Sequence, residues 1–193
     1  MRTWKPSTAW CNRMRYVMTF VGGLVCLGMG CSSTVEQAEA ESPKAAEVTG
    51  APISFSYATL DGQTLSSSSV AGRYTVLAFI TTYDHFSHAQ ARFLSTVVNK
   101  HVPRINAGLI VLEPPQNKIL VEAFIKVIAP PYPVAMADDA TIRGEGPFQD
   151  MHEVPSLIIL DQLGREVWRH KGLASNEVID AALNSLHGVK APK

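Results

Sequence analysis

The sequence predicts an α/β fold: a central mixed sheet with helices on both faces, preceded by a β-hairpin. Three observations carry this. Tyr74–Ile80, Ala107–Leu112 and Ser156–Leu160 are apolar without alternation, which marks strands buried on both faces. His85–His101, Gln116–Ile128 and Asn176–Leu186 carry apolar residues at helical spacing, and alternating β and α units pack as a parallel sheet under helices. Finally, only Asp161-Gln162-Leu163-Gly164 separates Ser156–Leu160 from a further strand, Arg165–His170. So short a turn cannot make a crossover, so the last two strands must be antiparallel.

The elements follow in order. Ile53-Ser54-Phe55-Ser56-Tyr57 alternates apolar and polar, as a half-buried strand does. Leu60-Asp61-Gly62-Gln63 turns it back, because Asp-Gly supplies the positive φ of a tight hairpin. Thr64–Val70 is the returning short strand and a polar loop, and Ala71-Gly72-Arg73 leads into Tyr74–Ile80. Phe93, Leu94, Val97 and Val98 form the core stripe of the first helix, which Pro103 ends. Glu113-Pro114-Pro115 stops the second buried strand. In the second helix Leu120, Ala123, Phe124 and Val127 share the expected core face, and Pro130, Pro131 and Pro133 break the chain after it. Val134–Ala137 is a short strand. Asp138–Asp150 is a glycine-interrupted helix or loop in which Asp138-Asp139 caps a short helix. Val178, Ile179, Ala182, Leu183 and Leu186 are the core face of the closing helix. The domain is expected over residues 52–188, with a tail at 189–193.

The N-terminal part reads differently. The chain has 193 residues, 46% of them hydrophobic, enough for one domain and a leader. Basic and acidic residues balance at 17 each, but Arg2, Lys5, Arg13 and Arg15 all precede the first acid. The remainder is mildly acidic and has no basic stripe, which argues against nucleic acid as a partner. Arg13 and Arg15 precede Tyr16–Met29, an apolar run of signal-peptide length. It is shorter than the roughly 20 residues that a membrane span needs. Residues 1–30 are read as an export signal, with Met14 as an alternative start. Residues 31–51 are rich in Ser, Glu and Ala and carry almost no large apolar side chain, which makes them a flexible tether.

Leu27-Gly28-Met29-Gly30-Cys31, followed by Ser32-Ser33, resembles the lipobox of bacterial lipoproteins, with Gly28 standing where leucine is commonest. The resemblance implies a lipid on Cys31, attachment to a membrane through it, and a cell-envelope location facing the periplasm or exterior. An ordinary cleaved signal and a plain membrane anchor are the alternatives. Cys11, Cys26 and Cys31 are the chain's three cysteines, so nothing after residue 31 can form a disulfide.

Thr75–His88 holds the candidate site. Its apolar strand stops at a polar elbow, Asp84-His85-Phe86-Ser87-His88, where a helix begins. Ligands of α/β sheets collect at such strand ends. The elbow, with Phe55…Leu60–Gln63, Ala71–Phe79 and Glu153–Trp168, resembles the thioredoxin-like redoxins of the TlpA and ResA type, over about Ile53 to Leu186. The resemblance implies a thioredoxin-like fold with Val154-Pro155 as a cis-proline facing the active site. It also implies a Cys-x-x-Cys at the positions of Asp84, His85, Phe86 and Ser87, where helix amides stabilise a thiolate. Asp84 stands in place of the attacking cysteine and Ser87 in place of the resolving one. A carboxylate does not attack a disulfide usefully and a serine hydroxyl does not form one. Neither thiol exchange nor thiolate-initiated peroxide reduction is therefore expected.

The spacing of Asp84 and His88 also resembles the metal-binding cysteines of the Sco copper proteins, and His152 lies three residues before Pro155. That resemblance implies Zn²⁺ or Cu²⁺ held by Asp84, His85, His88 and His152. Against it, Asp84 reads as a helix N-cap, with His85 and His88 facing solvent and His152 in a polar loop. Ser87 beside a histidine suggests a nucleophile and base without a third member. Gly144-Glu145-Gly146 follows no strand and lacks the lysine of a phosphate loop. Phe86 is expected to pack onto Pro155, and His101, His170 and His187 to lie at the surface. The leading expectation is a lipid-anchored, extracytoplasmic domain that has no cofactor and no catalysis. It holds an extended peptide or protein between the elbow and Val154-Pro155. The alternatives are a Cu- or Zn-binding protein and a divergent oxidoreductase or antioxidant redoxin.

Overall fold

The computed structural model describes residues 50–101 and 103–187. The expected signal, Cys31, most of the tether and the tail lie outside them. β1 (Ser56–Ala58) and β2 (Thr64–Ser66) pair as an antiparallel hairpin, with Tyr57 opposite Leu65. The first strand begins later than its alternation suggests, because the Ile53 amide donates to Gly164 O (2.9 Å) in the turn before the last strand. The hairpin is a sheet of its own. It is joined to the main sheet by a Thr59–Ala135 bridge and by Leu60 N donating to Val134 O (3.1 Å).

The main sheet is built from β3 (Tyr74–Ile80), β4 (Ile105–Val111), β5 (Val134–Met136), β6 (Ser156–Leu160) and β7 (Glu166–Lys171), in the order β5-β4-β3-β6-β7. β3, β4 and β5 are parallel; β6 runs antiparallel to β3, and β7 to β6. The mixed sheet follows from the connections. α1 (His85–His101) and α2 (Lys118–Ile128) are crossovers, whereas the turn between β6 and β7 is too short to be one. α3 (Asp139–Ile142) and α4 (Asn176–His187) complete the chain. Asp138 caps α3 as expected, accepting the Thr141 amide at 2.8 Å.

Side chains alternate across a strand, and β3 divides the core accordingly. Val76, Ala78 and Ile80 pack with Leu94 and Val97 of α1, Val121 and Phe124 of α2, and Ile179 and Leu183 of α4. Leu77 and Phe79 face the other layer, with Phe55, Tyr57 and Leu65 of the hairpin region and Phe148 and Met151 after α3. There the Phe148 ring lies 5.2 Å from both Phe55 and Phe79. Helices thus cover both faces unequally: three on one, the single-turn α3 with the hairpin on the other.

Two helix faces differ from expectation. α2 is preceded by a 3-10 turn at Pro115–Asn117, and Val121 and Phe124 are its buried residues. Leu120 and Val127, expected in the core, are 57% and 70% exposed. Apolar residues surround KILVEAFIKVI on several sides, so spacing alone does not select the face that the sheet accepts. Val178 of α4 is likewise exposed. His101 is buried rather than superficial: its Nε2 lies 2.8 Å from Asp180 Oδ1, and Lys100 pairs with the other oxygen. This contact ties the end of α1 to α4.

The two apolar residues of α2 separate the alternatives. Truncating Phe124 to Ala should cost about 3 kcal/mol, the range for a buried aromatic. Truncating Leu120 to Ala should change stability by less than about 0.5 kcal/mol, as at exposed positions. Urea denaturation of both variants measures the difference; equal losses would contradict the observed face.

Candidate functional site

The site is assembled where β3 and β4 end. Leu112 N donates to Ile80 O at 2.8 Å, keeping the two chains together beyond their last paired residues. The next residue, Glu113, is buried. One of its oxygens accepts the Thr82 amide and the other accepts Asn117 Nδ2 at 3.0 Å. A buried carboxylate needs such partners, and here they fix the loop that carries the elbow. Sequence reasoning took Glu113 only as a strand stop. The missed signal was an acid directly after a buried apolar strand.

Asp84 is the residue from which α1 starts. Its Oδ2 accepts both the Ser87 amide (2.7 Å) and the Ser87 hydroxyl (2.8 Å), and Oδ1 receives the Phe86 amide at 3.3 Å. These are orphan donors of the first helical turn, and a side-chain oxygen at this position satisfies them. Burial opposes ionisation of Asp84. The Ser87 hydroxyl and amide, the Phe86 amide and nearby His85 outweigh it together, so the carboxyl is held below its ordinary value. Ser87 is fully buried, and its Oγ also accepts the Thr81 amide at 3.3 Å. The two residues at the expected cysteine positions therefore bond to each other. Neither is presented as a nucleophile: one is a carboxylate engaged in capping, the other a buried hydroxyl engaged on both sides.

The four residues expected to share a metal are not brought to one point. His85 is exposed. His88 directs Nε2 at Thr82 O (2.6 Å) and packs its ring edge-on to Phe124, with centroids 4.9 Å apart. The His85 and His88 rings are 6.3 Å apart. His152 lies against Gly144 after α3, so closely that a Cβ there would stand 2.1 Å from its Cε1. Among the described residues, no three His, Cys, Asp or Glu side chains are grouped to hold a metal ion.

The facing side of the site is Val154-Pro155, whose peptide bond is cis. The β3–β6 register pairs Phe79 with Ser156; continued one and two steps, it sets Pro155 across from Ile80 and Val154 across from Thr81. Pro155 is buried and its carbonyl accepts Gly172 N at 2.8 Å. Gln90 of α1 bonds both backbone groups of Ala174 (3.1 and 2.8 Å). Gly172–Ala174 is thus clamped beside the elbow, with Leu173 partly exposed between the two tethers. Val154 itself forms no backbone hydrogen bond among the described residues. The buried Thr81 Oγ1 likewise has no partner among them. Phe86 does not pack onto Pro155 but is 62% exposed, and Tyr83 is 75% exposed. The buried side of the first turn is occupied by Ser87 and Gln90, which leaves Phe86 in solvent.

No protein-family model matches the chain, and no curated protein matches it in sequence. Solved structures do match. A DsbF homologue from Corynebacterium diphtheriae superposes with a TM-score of 0.63 at 16% identity, over 75% of this chain and 95% of that one. The fold is thioredoxin-like. A thioredoxin-family thiol:disulfide interchange protein from Chlorobium tepidum gives 0.62 at 24% identity, over 72% and 97%. A secreted disulfide oxidoreductase of Mycobacterium tuberculosis gives 0.57 at 18%, over 68% and 95%. At these identities the likeness is one of fold, and the chemistry at the elbow is decided by this chain's own residues.

The cap is testable through pH. Because the folded carboxyl of Asp84 titrates below its ordinary 3.8, its stabilisation is present above that value and is lost as pH falls through the folded one. Asp84→Ala should lose about 1 kcal/mol at neutral pH, as N-cap removals do, and Asp84→Asn far less. The gap between wild type and Asp84→Ala should narrow below pH 3.8 in denaturation curves taken across the acid range. A gap independent of pH would contradict the assigned role.

Proposed function

We propose that this chain is a binding protein of the TlpA/ResA redoxin type that carries no thiol at its elbow. In this reading it holds an extended peptide segment between the elbow and cis-Pro155. The observation that carries it is Val154, whose backbone groups are unpaired at a strand end. An incoming extended segment pairs with such groups and adds main-chain hydrogen bonds, while side chains settle into neighbouring pockets. The orphan hydroxyl of Thr81 and the exposed rings of Tyr83 and Phe86 border the same place. The Asp84–Ser87 pairing supports a non-catalytic role, because it engages both groups that stand at the reactive positions. The protein is placed in the cell envelope with lipid on Cys31. That placement rests on the export signal and lipobox resemblance, and agrees with a structural neighbour described as secreted. Loss of labelled fatty-acid incorporation in Cys31→Ser is its test.

NMR titration of the full-length chain with short extended apolar peptides tests the groove. Perturbations confined to residues 81–87, 152–156 and 172–174 are expected. Perturbations elsewhere, or none, would overturn the assignment. In an insulin-reduction assay the same protein should give no rate above the uncatalysed one, and measurable turnover would refute the non-catalytic reading.

A further inference from the structure

A second concavity lies away from the elbow, towards the end of the sheet at which β3 and β4 begin. It is a cavity of about 390 Å³ between the β1–β2 hairpin, the start of β4 and the proline turn before β5. Small-ligand sites ordinarily enclose roughly 300–1,000 Å³, apolar walls with a few polar groups among them. Here Val98 and Tyr132 supply apolar wall, and Gln63, Thr64, Arg73 and Asn106 supply polar groups. The side chains of Gln63 and Thr64 have no hydrogen-bond partner among the described residues. No aspartate or glutamate lines the cavity.

Arg73 is exposed, and the β3–β4 register, which pairs Tyr74 with Ile105, sets the exposed Arg104 beside it at the neighbouring strand start. Neither arginine is in an ion pair among the described residues. The carboxylates of this end are engaged elsewhere. Asp61 accepts the Thr59 hydroxyl and the Gln63 amide and lines a different cavity. Asp161 is paired with Arg165, and Asp180 with Lys100 and His101. Two neighbouring guanidinium groups repel, and an anion placed on them offsets that repulsion. A phosphate has oxygens for both planar forks at once, and the Thr64 hydroxyl and Gln63 amide are further donors beside them.

We infer that this cavity takes a phosphate ester with an apolar body. The phosphate meets Arg73 and Arg104, and the body lies along Val98 and Tyr132. Two sources share this chemistry, a phospholipid headgroup and a soluble phosphate monoester. Gly72 N donates to Gln162 O (3.0 Å) and Ile53 N to Gly164 O (2.9 Å), so the chain that leads from Cys31 enters the domain at the turn that also holds the residue before Arg73. The headgroup source rests on the envelope reading above; the cavity and its arginines do not. Since both arginines are exposed, binding should weaken with salt.

The test titrates the full-length chain with hexyl phosphate, inorganic phosphate and hexanol, read by NMR. Hexyl phosphate should perturb residues 63–65, 72–74 and 103–107, and should bind tighter than inorganic phosphate, with hexanol weakest. Arg73→Gln and Arg104→Gln, both at exposed positions, should each weaken it about fivefold, the size of one exposed ion contact. A second arm compares vesicles of phosphatidylglycerol with vesicles of zwitterionic phosphatidylcholine by hydrogen exchange. Protection of the same residues by the anionic vesicles alone identifies a bilayer headgroup as the source. Binding of hexyl phosphate without such protection identifies a soluble ester, and either result upholds the assignment. No perturbation of these residues by hexyl phosphate, equal affinity for hexyl phosphate and inorganic phosphate or hexanol, or unchanged affinity in both arginine variants would overturn it.

Discussion

A carboxylate caps a helix at the one place where the redoxin resemblance expects a thiolate, and the rest of the site depends on that exchange. The amides at the start of α1 are orphan donors whichever residue stands before them. A thiolate would use them to stay ionised and reactive. Asp84 uses them to anchor the helix, accepting both the amide and the hydroxyl of Ser87. The cap is worth about 1 kcal/mol, which is modest for stability but decisive for chemistry, because the engaged oxygens are not nucleophiles towards sulfur.

The scaffold around the cap is kept in order by interactions with no catalytic content. Glu113 holds the loop before α1, Gln90 clamps the segment after β7, and the β3–β6 pairing sets Val154-Pro155 against the strand end. Together these present one stretch of unpaired backbone at a rigid edge. Two or three added hydrogen bonds contribute roughly 1 kcal/mol each. Against the cost of ordering a peptide, this predicts weak, reversible binding in which side-chain contacts supply the selectivity.

Most of the fold was legible in the sequence because β3, β4 and β6 are apolar runs that only a sheet covered on both faces can accommodate. The length of α1 and the antiparallel β6–β7 pair were legible too, one from its stripe and its proline stop, the other from a turn too short to cross over. The core face of α2 was not, because only Lys118, Glu122 and Lys126 form a polar stripe, and the apolar arc left by Ile119, Leu120, Val121, Phe124, Ile125, Val127 and Ile128 is so wide that only its seat on the sheet selects Val121 and Phe124. His101 was misjudged because its partner, Asp180, lies 79 residues away. At the site, Asp84 as a cap could be read from its position alone. Glu113 had only its place after a buried strand to mark it, and its partner Thr82, 31 residues away, was not legible. The four proposed metal ligands do not converge on one point, although the His85 and His88 rings lie 6.3 Å apart. In space His88 turns to a carbonyl and His152 to Gly144.

The central claim is that Val154 offers unpaired backbone to an extended ligand, and hydrogen exchange at its amide tests this most directly. In the free chain that amide should exchange rapidly despite its half-buried position, and it should slow markedly when a short extended apolar peptide is added to saturation. Protection already present in the free chain, or exchange unchanged by bound peptide, would contradict the account.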